Sequence, residues 1–331
     1  MIYANLPLFI MYALLLLSVI FSLFRNSRLL TSFILIFFAA LYLTYSSGRI
    51  GGVDTPFYRD VFGNDERCAI FEYGFYHLCR FDSPTGFSFT FLFSSLALIV
   101  AIYRAGYDHR ELSLIFLILF PLYFIIMDMG YVRQAMSVSI LLLFCFNEER
   151  RKVRLIGYAI APFFHFASIV LIFFFELRYS TKRAGIYILA TGSLMMFAGL
   201  YFMNKFIAGG ILALLAKGFS VTSIVQLIFL ISLTIIASMQ FKWNLSVTAF
   251  VLSVTLIGYS GHFYRVYLFL LPVIAIGVAS YFAHRSITYR SLSLLIFSVF
   301  GFIKLNATVF EADGLFYTPY SANSLLWFLS S

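Results

Sequence analysis

Apolar residues run along this chain in uniform stretches of 12 to 20, separated by short polar or basic connections. The pattern predicts segments at 6–24, 29–46, 87–103, 112–127, 132–146, 153–164, 165–177, 184–203, 222–240, 244–259, 263–282 and 291–306. A spanning helix needs roughly 17–25 apolar residues. Barrel strands would be about half as long and would alternate apolar with polar residues. Only helices or closed barrels satisfy every backbone group in lipid. The expected fold is therefore an all-α polytopic membrane helix bundle of about 12 segments. Residues 47–86 are the longest polar interruption and are expected to form a long outer loop. No internal repeat or linker stands out, so one integral membrane domain is expected over 1–331. Met1–Asn5 carries no Lys or Arg. The first apolar run is accordingly expected to be a retained helix rather than a signal peptide.

Composition points the same way, with 62% hydrophobic and 11% charged residues. A water-soluble domain of this size needs far more charge to cover its surface. The charge also sets an orientation, because short cytoplasmic connections carry the excess of Lys and Arg. Arg25, Arg28, Arg104, Arg110, Arg150, Arg151, Lys152, Arg154, Arg178, Lys182, Arg183, Lys242, Arg285 and Arg290 fall on one face. Asp108, Glu111, Glu148, Glu149 and Glu176 fall there too, so that face holds the whole formal excess of +9. Both termini are then expected outside. The asymmetry accounts for the basic balance without any nucleic-acid partner.

One stretch conflicts with a simple crossing. Residues 153–177 are apolar, yet basic clusters flank both ends. A broken, re-entrant hairpin resolves the conflict, with its turn near Pro162 and His165 at its tip. Proline removes a backbone donor and breaks the helix. Such irregular backbone is tolerated at membrane depth only against protein or a water-filled cavity.

The candidate chemistry gathers at the outer face. Arg133, His165 and Arg265 each lie at or near the start of a helix descending from that face. Helix starts present free amide N–H groups and a partial positive charge. An added guanidinium is unfavourable there unless an anion binds, and phosphate fits both the helix end and the guanidinium fork. The plainer alternative is snorkelling, or pairing with a nearby acid such as Asp128 for Arg133. His165 can exchange protons near neutral pH. The plainer alternative there is a histidine that bonds the broken backbone. His262 and Tyr264 flank Arg265, where aromatic residues usually anchor a helix but can also stack on sugars. Cys68 and Cys79 share the outer loop, where an oxidising compartment would allow a disulfide. No HExxH, Walker loop, GxSxG or Cys/His cluster occurs, so neither metal nor cofactor is expected. Ionisable groups inside the spans are nearly missing, which argues against an ion-coupled transporter or channel.

Four motifs carry a family resemblance: Gly52-Val53-Asp54-Thr55-Pro56-Phe57-Tyr58, Glu72-Tyr73-Gly74, Tyr131-Val132-Arg133-Gln134-Ala135-Met136-Ser137, and Phe164-His165-Phe166-Ala167-Ser168. In these, and in length and segment number, the chain resembles the EpsG-like branch of the Wzy-type bacterial O-antigen and capsule polymerases. Where that family usually reads His followed closely by Ser or Thr, Phe166 and Ala167 intervene here.

The resemblance implies a polymerase of the bacterial inner membrane. It would move a glycan from undecaprenyl pyrophosphate to the non-reducing end of a lipid-linked repeat unit at the outer, periplasmic face. Its partners would be that lipid-linked oligosaccharide, the surrounding membrane lipid and a possible chain-length regulator. On this reading Arg133 and Arg265 bind the pyrophosphate. His165 is the first candidate general base, with Asp54 or Glu72 next. Arg49, Tyr58, Gln134, His262 and Tyr264 would hold the glycan. The competing readings are an O-antigen ligase, a flippase or transporter of lipid-linked oligosaccharide, and a non-catalytic assembly subunit.

Overall fold

A computed structural model describes residues 2–48, 55–146, 148, 150–179, 221–258 and 264–310. Every regular element among them is helical. The apolar runs become α1 (Ile2–Leu23), α2 (Arg28–Ser47), α6 (Phe89–Ala105) and α7 (His109–Leu119). They continue as α8 (Val132–Cys145), α9 (Arg151–Ile160), α10 (Ile169–Tyr179) and α11 (Val221–Phe241). The last three are α12 (Leu245–Gly258), α13 (Tyr264–Ala283) and α14 (Ile287–Phe310). Each coincides with an expected segment, and the segment at 184–203 lies outside the described residues. Among the described residues, Leu6–Leu23, Arg28–Ser47 and Ile287–Asn306 are long and apolar enough to cross a membrane unaided.

Local chemistry sets the helix ends. Asp108 accepts from the backbone N–H groups of Arg110 and Glu111, and Ser88 accepts from that of Phe91. These are N-caps that satisfy otherwise orphaned donors. Between α1 and α2, Asn26 takes φ 51°. That left-handed turn is tolerated best by Asn and Gly.

The chain divides into two compact units. The first comprises residues 1–168 and 282–331. There α1 packs against α2, α7 and α14, while α6 packs between α2 and α8. In the second, residues 169–281, α12 packs against α10 and α11.

Two departures from regular helix occur within the first unit. The expected segment 112–127 is α-helical only to Leu119 and then becomes a π-helix over Phe120–Asp128. Pro121 stands at its start, where the missing N–H favours a change of hydrogen-bond register. The second departure is the break expected near Pro162. Helix α9 is 10 residues long, about 15 Å, far short of a membrane's thickness. It stops at Ile160 and gives way to 3₁₀ turns over Ala161–Phe163 and Phe166–Ser168.

The described part of the stretch 47–86 contains short helices. It folds into α3 (Thr55–Val61), α4 (Asp65–Cys68) and α5 (Tyr73–Phe81). The aromatic residues that crowd this sequence form its core. Tyr58, Phe62, Phe71, Phe75 and Phe91 are buried around a Cys68–Cys79 disulfide, with Val132 and Met136 of α8 beneath. Arg59 is also buried and donates to the carbonyls of Ser47 and Ser83, fastening this cap to the end of α2. Asp82 accepts from Ser88, Thr90 and Phe89 and closes it onto the start of α6.

Candidate functional site

Three expected site residues meet where the cap touches the first turn of α8 and the break after α9. Glu72 lies just before α5, Arg133 is the second residue of α8, and His165 sits between the two 3₁₀ turns. One Glu72 oxygen accepts from Arg133 Nη1 at 2.7 Å, and the other accepts from His165 Nδ1 at 2.9 Å. Arg133 Nε donates to the Tyr58 hydroxyl at 3.3 Å, and the guanidinium lies 4.8 Å over the Phe71 ring.

The backbone explains the convergence. Gly74 follows Glu72 by two residues, and a Cβ there would stand 3.0 Å from the Phe163 carbonyl oxygen. Only glycine lets α5 approach the break this closely, which brings Glu72 beside His165. The break turns because the His165 amide bonds the Ala161 carbonyl at 3.2 Å. Helix α3 is tied from Thr55 Oγ1 to the Met129 carbonyl at 3.1 Å, next to the start of α8.

Electrostatics then define the protonation states. Burial alone would raise the Glu72 carboxyl. Hydrogen bonds from His165 and its own backbone, together with the Arg133 charge, outweigh burial and hold it at about 2. Glu72 is therefore an anion at any physiological pH and a poor proton acceptor. A carboxylate that accepts from Nδ1–H sets the imidazole tautomer, with the lone pair on Nε2. Arg133 spends Nε and Nη1 on Tyr58 and Glu72, and its Nη2 has no partner among the described residues. Helix α8 begins without a side-chain cap. The site thus offers a histidine of fixed tautomer and a guanidinium nitrogen at an uncapped helix start.

The other expected residues are distributed as follows. Tyr58 is buried beneath the guanidinium, so its hydroxyl supports Arg133 rather than facing outward. Gln134 is buried, and its Oε1 has no hydrogen-bond partner among the described residues. Asp128 is not the partner of Arg133. It is fully buried and accepts from the hydroxyls of Tyr42, Ser94 and Ser95, so it joins α2, α6 and the π-helix. Arg265 is the second residue of α13, as expected of a helix start, and Tyr264 is the first. Their side chains, and Arg49, Asp54 and His262, lie outside the described residues. Among the described residues no cluster of His, Cys, Asp and Glu could hold a metal ion. Sequence reasoning passed over Phe71 and the steric role of Gly74, although the Glu72-Tyr73-Gly74 motif already contained the glycine.

Fold and site together describe a polytopic helical membrane protein with an ionised cluster built from a folded cap, a helix start and a helix break. A family model, described as the EpsG family, matches residues 30–322. The chain belongs to the EpsG family, and so to membrane proteins of the polysaccharide-polymerase kind. No curated protein and no solved structure matches it.

Proposed function

We propose that the protein is a bacterial inner-membrane polymerase that extends a lipid-linked glycan at the outer face, using undecaprenyl pyrophosphate as the leaving group. The observation that carries this reading is the Glu72 carboxylate gripping both Arg133 and His165. The acceptor sugar's hydroxyl oxygen attacks the anomeric carbon of the donor. Its proton passes to His165 Nε2, while Glu72 stabilises the imidazolium that forms. The bond between the anomeric carbon and the pyrophosphate oxygen breaks. Arg133 Nη2 and the amides at the start of α8 receive the departing negative charge. Arg265 is proposed to assist from the start of α13, and Asp54, Arg49, Gln134, His262 and Tyr264 to contact glycan.

The disulfide supports an outer location for the cap, because such bonds persist in oxidising compartments. With the basic connections facing inward, both termini lie on the cap's side of the membrane.

The test is the surface glycan ladder of a deletion strain carrying His165→Ala or Arg133→Ala at normal protein level. Polymer should collapse to single repeat units still displayed at the surface. Long chains from either variant would remove that residue from the mechanism. Complete absence of displayed units would favour a flippase, and polymer that forms but is never joined to its lipid core would favour a ligase.

A further inference from the structure

Beside the ionised cluster lies a group of rings that no step above uses. On α5, Tyr73, Tyr76 and His77 share one face by their spacing of three and four residues. Tyr73 and His77 meet edge to face at 4.5 Å, Tyr76 and His77 at 5.0 Å, and Tyr73 and Phe163 at 6.2 Å. Tyr73 is 67% exposed and Phe163 51% exposed, whereas Tyr58, Phe62, Phe71 and Phe75 of the cap are buried. Neither tyrosine hydroxyl nor the His77 imidazole hydrogen-bonds to another described residue. Tyr73 and Phe163 are thus open rings, with Tyr76 and His77 half-buried beside them and Tyr76 packed on the cap's core. The spanning helices expose a mainly apolar set, such as Leu29, Phe33, Ile36, Leu292, Leu295 and Ile303, with Tyr289 near the start of α14.

The rings are tied to the site by covalent and steric continuity. Tyr73 directly follows Glu72, and Phe163 stands two residues before His165. Gly74 lets α5 lie close to the Phe163 carbonyl, and the Glu72–His165 contact links the same two ring-bearing segments. A pyranose has one face of C–H groups and a rim of hydroxyls. Its C–H face suits the negative face of an aromatic ring, and its rim suits phenol and imidazole heads. A lipid acyl chain would gain nothing from those heads.

We infer that Tyr73, Tyr76, His77 and Phe163 form a carbohydrate subsite that stacks a pyranose ring of the acceptor glycan and delivers its hydroxyl to His165. The inference rests on the polymerase reading and names the part of the site that holds the acceptor.

The probe is the lipid-free repeat-unit oligosaccharide, released by mild acid from the lipid-linked pool of the host strain. Its binding to the full chain in nanodiscs is titrated by saturation-transfer NMR. Tyr73→Leu should raise Kd at least about fivefold, while Tyr73→Phe should stay within about twofold of the unmodified chain. Equal binding by the leucine variant and the unmodified chain overturns the subsite. So does a leucine variant that binds as well as the phenylalanine variant, since an apolar membrane anchor would behave that way. Failure of the oligosaccharide to bind the unmodified chain overturns it as well. The polymerase reading is judged separately, by the glycan ladder of His165→Ala.

Discussion

Replacing Glu72 with Gln removes one charge and little volume, so it isolates the electrostatic role of the central carboxylate. The fall of its titration from 4.5 to about 2 corresponds to about 3 kcal/mol at roughly 1.4 kcal/mol per pH unit. Its side chain is 23% exposed, and those of Arg133 and His165 are 26% and 17% exposed. Solvent therefore screens part of the interaction, and a loss of about 2–3 kcal/mol is expected at pH 7. The pH dependence has a definite sign. A carboxyl whose folded titration is depressed contributes stability above its ordinary value and loses it as pH falls toward the folded value. The difference between the native chain and Glu72→Gln should thus be full above about pH 4.5 and vanish near pH 2. Unfolding the purified chain in mixed micelles with increasing SDS, followed by circular dichroism between pH 7 and pH 3, measures it. Equal stability at pH 7, or a difference that does not shrink with acid, would refute the reasoning. Polymerisation should fall at least about tenfold, because the imidazolium loses its counter-charge.

Three further outcomes test the frame around the site. Gly74→Ala places a methyl 3.0 Å from the Phe163 carbonyl, so α5 and the break must separate. The protein should lose about 1–2 kcal/mol and most of its polymer, with helical content unchanged by circular dichroism. Replacing both Cys68 and Cys79 with Ser opens a loop of sequence separation 11 that contains Glu72. A loss of roughly 3 kcal/mol and shortened chains on the glycan ladder are expected. Asp128→Asn reverses part of a buried hydrogen-bond set that receives three hydroxyls. It should cost about 1–3 kcal/mol in the same SDS titration while leaving the pH dependence traced to Glu72 in place.

Helix placement was legible in the sequence because it depends on local quantities. Lipid demands uninterrupted apolar runs with all backbone bonds made internally, so α1, α2, α6 and α14 fall where the composition alone puts them. The break at Pro162 was legible for the same reason, since a missing N–H acts on its own turn. The starts of α8 and α13 placed Arg133 and Arg265 at helix ends before any contact was known. The partners of these residues were not legible. Asp128 stands five residues from Arg133 in the chain, yet it faces hydroxyls of α2 and α6 because the π-helix changes its direction. Glu72 is 61 residues from Arg133 and 93 from His165, and it reaches both because the cap folds back onto α8. Residues 47–86 read as a long loop, whereas the described rings of Tyr58, Phe62, Phe71 and Phe75 form a core of their own and Phe57, Tyr73 and Phe81 remain exposed. Apolar patterning along the chain thus determined which segments enter the membrane and where they start and stop. Packing among distant segments decided which charges meet, because a charge's partner depends on distance in space and periodicity carries no information about that.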